Sequence, residues 1–262
     1  MAMLTDKVAF ITGGASGIGR STAIRFAAEG AKVAIADVLQ QSDEAHEVIQ
    51  RIASRGGQAI FTACDVSVPE DVERAIEQTI RNFGSLDIVF ANAGINGVWA
   101  PIDELKPQEW DKTLDINLKG TFLTLHYAVP HLRKAGGGSI IITSSVNGNR
   151  TFSSAGASAY SSSKAGQVAL MKMAALELAR HNIRVNAVLP GAIRTNIDDR
   201  TQKRDTEKVA IKIEMPEGGP GLKHGQGEPS EVADTCLFLA SDLSRHVSGV
   251  EIYVDGAASL LM

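Results

Sequence analysis

The chain has 262 residues, of which 44% are hydrophobic and 21% charged, and its 26 basic and 30 acidic residues give a formal charge of −4. This composition is typical of a globular protein, and the length suits one large α/β domain. The sequence contains no basic block of the kind that binds nucleic acid, no apolar run of the about 18 residues that span a membrane, and only two cysteines, which cannot form a disulfide framework.

The N-terminus meets Asp6 and Lys7 before any apolar run, which is unlike a signal peptide, so we expect a cytoplasmic protein. From there, short runs rich in β-branched residues alternate with segments of helical periodicity. The predicted strands cover 8–12, 32–37, 59–66, 86–92, 139–145, 183–189 and 250–255. Most are apolar at nearly every position, which is typical of parallel strands covered on both faces.

Helical periodicity fills most of the intervals between these runs. The predicted helices cover 17–29, a segment that Pro69 opens, 108–134, 160–181 and 230–241. Proline is expected in a first helical turn, and three consecutive glycines at 136–138 end the third helix. The alternation predicts a single α/β domain over 1–262: a doubly wound parallel sheet of about seven strands, with helices on both faces.

One region departs from the alternation. From Arg194 to Gly227 the sequence is polar and ends in a Gly/Pro-rich run, and a short amphipathic helix is predicted within 201–215. Long connections in compact domains are often lids or binding loops. We therefore expect a substrate lid over about 194–227; the alternative is a disordered surface insertion.

The turn after the first strand is rich in glycine. Its sequence, TGGASGIG over 12–19, precedes a helix whose N-terminal amides are suited to a pyrophosphate. Asp37 ends the second strand, where a carboxylate accepts hydrogen bonds from ribose hydroxyls and repels a 2′-phosphate. Neither Val38 nor Leu39 supplies a basic group, so we predict NAD rather than NADP. The alternative is that Asp37 only caps the next helix.

Tyr160 and Lys164 lie four residues apart in a strongly helical segment, which places both side chains on one face. A fixed ammonium stabilises phenolate and lowers the pKa of the phenol from its reference value of about 10. Such a pair can serve as a general acid/base, although most tyrosine–lysine pairs at this spacing are structural.

Together these motifs resemble the short-chain dehydrogenase/reductase family, in its classical branch. The resemblance covers nearly the whole chain and follows the family's order. The matching motifs are TGGASGIG (12–19), Asp37, CDV (64–66), ANAG (91–94), DINLKG (115–120), ITSS (142–145), YSSSK (160–164), PGAIRT (190–195) and VDG (254–256). It implies a Rossmann-type fold and an NAD-dependent oxidoreductase that interconverts a secondary alcohol and a ketone, the substrate being a sugar, polyol or hydroxylated ring.

The resemblance also implies roles for individual residues. Tyr160 would be the general acid/base, and Lys164 would bind the nicotinamide ribose and lower the pKa of Tyr160. Ser145 would hydrogen-bond the reacting oxygen, and Asn117 would support a proton relay to Lys164. The implied cofactor-binding residues are Gly13, Ser16, Ile18, Gly19, Asp37, Asp65, Val66, Asn92, Ala93, Gly94, Tyr160, Lys164, Pro190, Gly191, Ile193 and Thr195. No metal site is expected.

Two departures from the family pattern affect the site. Ser145 precedes Tyr160 by 15 residues, a longer spacing than usual, which predicts a two-residue insertion and leaves Ser144 as the alternative catalytic serine. Asn147 and Arg150 in the longer loop are candidate substrate contacts. The second departure is Ala257, which stands where the family commonly has a glycine, and only a local change is expected there. Elsewhere, Trp99 is expected either to stack on substrate or to pack its loop.

Two alternatives to the leading function remain. A 3-oxoacyl thioester reductase shares the fold and the catalytic residues but would favour NADPH, which Asp37 opposes. A non-catalytic NAD-binding sensor has no need for the complete set of catalytic residues. The expected partner is a small-molecule alcohol or ketone, with no nucleic acid and no membrane. The long helices 108–134 and 160–181 carry apolar positions on more than one face, and the resemblance implies a homotetramer or homodimer.

Overall fold

A computed structural model of the chain describes residues 2–212, 222 and 225–261. Its strands are β1 (Val8–Thr12), β2 (Lys32–Asp37), β3 (Gln58–Ala63), β4 (Ile88–Ala91), β5 (Val98–Trp99), β6 (Gly138–Thr143), β7 (Ile183–Pro190), β8 (Gln202–Lys203) and β9 (Glu251–Val254). Seven of them form one sheet in the order β3-β2-β1-β4-β6-β7-β9, with every neighbouring pair parallel. The short strands β5 and β8 pair separately. The predicted seven-stranded parallel sheet is confirmed.

Helices cover both faces of this sheet. They are α1 (Gly17–Ala28), α2 (Ser42–Ala53), α3 (Pro69–Phe83), α4 (Pro107–Leu114), α5 (Gly120–Lys134), α6 (Ser158–Leu178) and α7 (Pro229–Ala240). Buried side chains of α3, α5 and α6 pack on one face, and those of α1, α2 and α7 pack on the other. Successive strand residues divide between the two layers: Phe10 joins the first core, whereas Ala9 and Ile11 join the second. This explains why the strands are apolar throughout.

Helix α2 is missing from the predicted elements, although its sequence carries the signals of a helix. Ala45, Val48 and Ile52 are buried at helical spacing, acidic residues occupy the first turn, and Arg51 lies in the last turn. Strand β3 ends at Ala63, before the predicted end, and the chain turns at Asp65, whose carbonyl oxygen accepts from the Val68 amide at 3.0 Å.

The predicted helix over 108–134 is interrupted. Between α4 and α5 the turn Asp115–Lys119 is π-helical, with Asn117 fully buried inside it. Such a widened turn often marks a functional site. The predicted helix over 160–181 begins at Ser158 and ends in a 3₁₀ turn, Ala179–His181.

The amphipathic helix predicted within 201–215 does not form in the described part of that segment. Residues 202–203 are strand β8, and Thr206–Val209 make a single 3₁₀ turn, while 213–215 lie outside the described residues. Tertiary contacts replace the local helical preference. The Arg204 amide donates to the Trp99 carbonyl oxygen at 2.9 Å, and its guanidinium donates to both carboxylate oxygens of Glu109 at 2.9 Å.

The strand order reverses between β1 and β4, and such a reversal opens a crevice at the carboxyl ends of parallel strands. Asn92 links the strands around this crevice. Its backbone amide donates to the Thr12 hydroxyl at 3.0 Å, and its side-chain nitrogen donates to the Gly13 carbonyl oxygen at 3.2 Å. Its side-chain oxygen accepts from the Thr143 hydroxyl at 3.0 Å. The ends of β1, β4 and β6 are therefore held together where the site lies.

Candidate active site

A cavity of about 640 Å³ opens at this crevice. Every predicted cofactor-binding residue lines it except Gly19, and Ser145 lines it as well. Asn117 and Gly19 do not line the cavity. The structure thus brings together, around one space, residues that the sequence spreads from Gly13 to Thr195.

The glycine turn lets the chain approach this space closely. Gly13 has a φ of +63°, and a Cβ on it would lie 2.9 Å from the Cα of Ala93. A Cβ on Gly19 would overlap the Gly13 carbonyl oxygen, so Gly19 allows α1 to start directly against the turn. The first turn of α1 contains no acidic residue, and the Ser16 side chain forms no cap there, which leaves its amides suited to an anion.

Asp37 lies at the far end of the cavity from Tyr160, against the glycine turn. Its carboxylate accepts hydrogen bonds from the amides of Ala15 at 3.0 Å and Val38 at 2.9 Å. Burial raises the pKa of this carboxyl group, and the two amide bonds oppose that effect. Helix α2 begins at Ser42 with no side-chain cap, so Asp37 does not cap it. The carboxylate faces the cavity instead.

Asp65 and Val66 form a wall at the same end. The Asp65 carboxylate accepts from the Ser67 amide at 2.9 Å and the Ser67 hydroxyl at 2.7 Å, which fixes the turn after β3. Val66 packs against Gly120 so closely that a Cβ on that glycine would lie 2.7 Å from the Val66 Cγ2.

The π-helical turn aims Asn117 at the loop that follows β4. Its side-chain oxygen accepts from the Ile95 amide at 2.8 Å, and its side-chain nitrogen donates to the Ile95 carbonyl at 2.9 Å and to the Ser163 hydroxyl at 3.0 Å. Asn117 therefore ties the loop after Gly94 to helix α6, beside Lys164.

Tyr160 and Lys164 project from α6 into the other end of the cavity. The Lys164 Nζ lies 5.6 Å from the centroid of the Tyr160 ring and donates to the Thr143 carbonyl oxygen at 2.8 Å. Burial lowers the pKa of Lys164 to about 7. Burial also raises the pKa of Tyr160, an effect that a hydrogen bond with the Ser145 side chain opposes.

The two candidate serines differ in their partners. The Ser144 hydroxyl donates to the Lys164 carbonyl oxygen at 2.8 Å, whereas Ser145 hydrogen-bonds Tyr160. This geometry favours Ser145 as the serine that meets a reacting oxygen. In the longer loop, Asn147 lines the cavity. Arg150 instead stacks on the ring of Tyr253, 3.4 Å from its centroid, and is not part of the lining.

Several lining residues were not predicted individually, among them Asn96, Asp198 and Arg200, although the last two lie within the segment predicted as a lid. They lie in loops that follow the family motifs by a few residues, and nothing in their spacing marks them. Trp99 also lines the cavity; its indole donates to the Asn96 carbonyl oxygen at 3.1 Å, and the Lys203 Nζ lies 5.2 Å from the centroid of its ring.

The turn around Ala257 has the backbone shape of a glycine turn, with a φ of +69°, and the Ala257 amide donates to the Asp255 carboxylate at 3.0 Å. This agrees with a local change only.

The cavity fits a dinucleotide. Its volume lies within the about 300–1,000 Å³ of small-molecule and cofactor sites, with backbone amides at one end and Lys164 at the other. Gly94 keeps the floor open, since a Cβ there would lie 3.2 Å from the Asn117 oxygen and 3.5 Å from the Lys164 Nζ. Within residues 2–212, 222 and 225–261, no group of three or more His, Cys, Asp or Glu side chains could hold a metal ion. None of the helices described is long and apolar enough to cross a membrane.

Comparisons with known proteins agree with this architecture. A family model described as Enoyl-(Acyl carrier protein) reductase matches residues 13–258. Levodione reductase of Leifsonia aquatica is 36% identical over 97% of this chain and 95% of its own length. The crystal structure of a 3-ketoacyl-ACP reductase from Sinorhizobium meliloti 1021 superposes with a TM-score of 0.92 at 50% identity, over 97% of this chain and all of that one. Carveol dehydrogenase from Mycobacterium avium, in complex with NAD, gives 0.89 at 32% identity and covers both chains fully.

The burial of Lys164 predicts a pH dependence of stability. In the folded protein its amine titrates near pH 7, whereas in the unfolded chain it stays protonated to about pH 10.5. Between these values the unfolded state binds more protons, so rising pH stabilises the native protein. Relative to Lys164→Met, the free energy of unfolding of the native protein should rise by up to about 1.4 kcal/mol per pH unit from pH 7 to pH 9.5, measured by urea unfolding.

Lys172→Met is the matched control. Lys172 is exposed and its ammonium lies 2.7 Å from the Glu251 carboxylate, which raises its pKa, so it stays protonated over this range in both states. The difference in free energy of unfolding between Lys172→Met and the native protein should not change with pH. An equally flat difference for Lys164→Met would contradict the lowered pKa.

Proposed function

Because the chain belongs to the classical branch of the short-chain dehydrogenase/reductase family, we propose that it is an NAD-dependent oxidoreductase (EC 1.1.1.-) that interconverts a secondary alcohol and a ketone by hydride transfer. The observation that carries this proposal is the meeting of Tyr160, Lys164 and Ser145 at one end of a cavity that fits a dinucleotide. Relatives named for levodione and carveol support the reaction class. The proposed substrate is a sugar, a polyol or a hydroxylated ring.

The cofactor would lie along the carboxyl edge of the sheet. Gly13, Ser16, Ile18 and the amides that begin α1 would hold the pyrophosphate, while Asp37 would accept hydrogen bonds from the adenosine ribose. The remaining lining residues would surround the two bases: Asp65 and Val66 at the adenine, and Asn92, Ala93, Gly94, Pro190, Gly191, Ile193 and Thr195 around the nicotinamide half. When bound, the nicotinamide supplies the hydride chemistry, and the protein supplies position and charge.

Tyr160 would accept the proton of the substrate hydroxyl during oxidation and return it during reduction. This task requires phenolate, which burial disfavours. An ammonium on Lys164, whose Nζ lies 5.6 Å from the centroid of the Tyr160 ring, would favour phenolate. Ser145 would donate a hydrogen bond to the reacting oxygen as negative charge develops there. Asn117 would hold the loop at Ile95 in place and support a water-mediated proton relay to Lys164.

The segment over about 194–227 would act as a substrate lid. Its described part is anchored to the loop after β4, because the Gln202 amide donates to the Gly97 carbonyl oxygen and Arg204 pairs with Glu109. We further propose a homotetramer or homodimer, which the exposed apolar side chains of Phe122, Met173 and Leu176 on α5 and α6 support.

We also propose a cytoplasmic location. Cys64 and Cys236 are both buried and unpaired, and burial raises the pKa of the Cys64 thiol to about 12. Thiols held this way fit a reducing compartment.

A 3-oxoacyl thioester reductase is the second candidate. The 50% identity to a 3-ketoacyl-ACP reductase favours it. Asp37 opposes it to the extent that such an enzyme uses NADPH, because the carboxylate would face the 2′-phosphate. A cofactor-binding sensor without turnover is the remaining alternative.

Turnover with a substrate panel tests all three. The panel contains secondary alcohols, sugars and 3-oxoacyl esters, each with NAD(H) and NADP(H), and is followed by nicotinamide absorbance. We expect oxidation of a secondary alcohol with NAD, and a loss of at least about 100-fold in kcat in Tyr160→Phe, because the proton acceptor is removed. Tyr127→Phe, on α5 and outside the cavity lining, is the control. Preference for 3-oxoacyl esters would support the second candidate, and silence with retained NADH binding would support the sensor.

The two serines give a paired test. Ser145→Ala should lower kcat by about 100-fold or more, since it removes a donor to the developing charge. Ser144→Ala should retain most of the activity, because its hydroxyl only binds the Lys164 backbone. Steady-state kinetics of both variants test this assignment. A larger loss of kcat in Ser144→Ala than in Ser145→Ala would make Ser144 the serine that meets the reacting oxygen.

Cofactor selectivity tests Asp37. Asp37→Ala should reduce the ratio of kcat/KM for NAD to that for NADP by about tenfold or more, which corresponds to about 1.4 kcal/mol, by removing a ribose acceptor and a charge that repels phosphate. Asp43→Ala, which removes an exposed carboxylate at the start of α2, is the matched control and should leave the ratio unchanged. An unchanged ratio in Asp37→Ala would argue against its role.

A further inference from the structure

The Tyr160 end of the cavity carries a negative charge that the proposed reaction does not use. Around Tyr160 and Ser145 the cavity is lined by apolar side chains, among them Trp99 and Val146, by uncharged polar side chains, and by the carboxylate of Asp198. The polar residues there are Asn96, Asn147, Thr151, Ser153 and Ser154. Asp198 is the first residue of the 3₁₀ turn Asp198–Arg200, which follows the predicted cofactor-binding residue Thr195.

The Asp198 side chain is exposed, and one of its carboxylate oxygens is hydrogen-bonded. The buried Asn96 side chain donates to the Asp198 Oδ1 at 3.3 Å and to the Thr201 hydroxyl at 2.8 Å. Within the described ranges, Asp198 forms no ion pair, and its Oδ2 accepts no hydrogen bond. A fixed carboxylate with a spare oxygen is an acceptor for a donor group on a ligand.

The other charged groups that line the cavity do not offset Asp198. Lys164 donates to the Thr143 backbone, and Arg200 lies toward the other end, where it lowers the pKa of Asp37 and binds the Gln41 side chain at 3.3 Å. Asp255 already accepts from the amides of Ala257 and Ser259. Asp198 is near enough to Tyr160 for its charge to disfavour phenolate, an effect that adds to that of burial.

We propose that Asp198, positioned by Asn96, forms a substrate subsite that binds a hydroxyl or ammonium group on a carbon other than the reacting carbinol, and that it excludes substrates with a carboxylate there. The inference rests on the proposed function, since it places the reacting carbinol at Tyr160. A donor bound to the carboxylate satisfies its open oxygen and offsets the field that acts on the phenol, so such a substrate also favours phenolate. A substrate carboxylate would instead meet a like charge.

Four probes of one ring size test this subsite. They are cyclohexanol, 1,2-cyclohexanediol, 2-aminocyclohexanol and 2-hydroxycyclohexanecarboxylate, assayed with NAD. Asp198→Asn keeps a side-chain oxygen for the Asn96 bond and removes only the charge. In this variant we expect kcat/KM for the diol or the amino alcohol, relative to cyclohexanol, to fall about tenfold, and that for the hydroxy acid to rise about tenfold. A larger loss with the amino alcohol identifies an ammonium as the ligand, and a larger loss with the diol identifies a hydroxyl.

Asp199→Asn is the matched control, because Asp199 is exposed like Asp198 and lies beside it on the same turn, but does not line the cavity. It should leave all four ratios unchanged. A second readout separates the charge from a structural role. Ser145, Lys164 and Asp198 are the polar and charged groups that act on Tyr160, and removing the negative one lowers its pKa. The acid limb of kcat for cyclohexanol should therefore move to lower pH in Asp198→Asn and stay in place in Asp199→Asn.

Unchanged ratios and an unchanged acid limb in Asp198→Asn, with NADH still bound, would overturn the subsite while leaving the proposed function intact. A native protein that turns over none of the probes would contradict the proposed function instead. In that case calorimetric titration of the same four probes into the NADH complex decides the subsite. The subsite is supported if the native protein binds the probes with affinities that depend on their charge and Asp198→Asn removes this dependence. It is overturned if Asp198→Asn binds all four probes as the native protein does.

Discussion

Lys164 and Tyr160 lie one turn apart on α6, with Lys164 buried and Tyr160 half-buried at one end of the cavity. Burial lowers the pKa of the amine to about 7 and raises the pKa of the phenol. In the proposed mechanism an ammonium and a phenolate would offset each other's desolvation, and the pair would serve as an acid/base. The rest of the site positions this pair: the Thr143 carbonyl oxygen accepts a hydrogen bond from the amine, and Ser145 interacts with the phenol.

The fold supports the pair through side chains that bridge elements at the reversal of strand order. Asn92 links the ends of β1, β4 and β6, and Asn117 links the loop after β4 to α6. The π-helical turn is what points Asn117 inward, since a regular α-helix over 107–134 would set that side chain at a different angle. A local departure from ideal helix geometry thus places a side chain that contacts α6 beside it.

The substrate end is built differently from the cofactor end. The glycine turn and the strand ends are backbone features of the sheet, whereas Asp198 and Trp99 lie on loops that are tied to each other and to α4. Loops on a rigid scaffold can vary without disturbing the sheet, and this allows one cofactor-binding framework to serve many alcohols and ketones. A carboxylate in such a loop gives this cavity a preference that its catalytic residues alone do not define.

Local sequence determined the seven strands and most of the helices, because apolar runs and helical periodicity act over short distances. The motifs that resemble the family predicted many, but not all, of the residues that line the cavity. Even the missed helix α2 carried its signals in the sequence. Tertiary structure decided the partner of each serine, the strand that replaced a predicted helix after Thr201, and the meeting of Asn96 with Asp198. Those outcomes depend on contacts between residues far apart in the chain, whose energies exceed the small local preferences that a sequence pattern expresses.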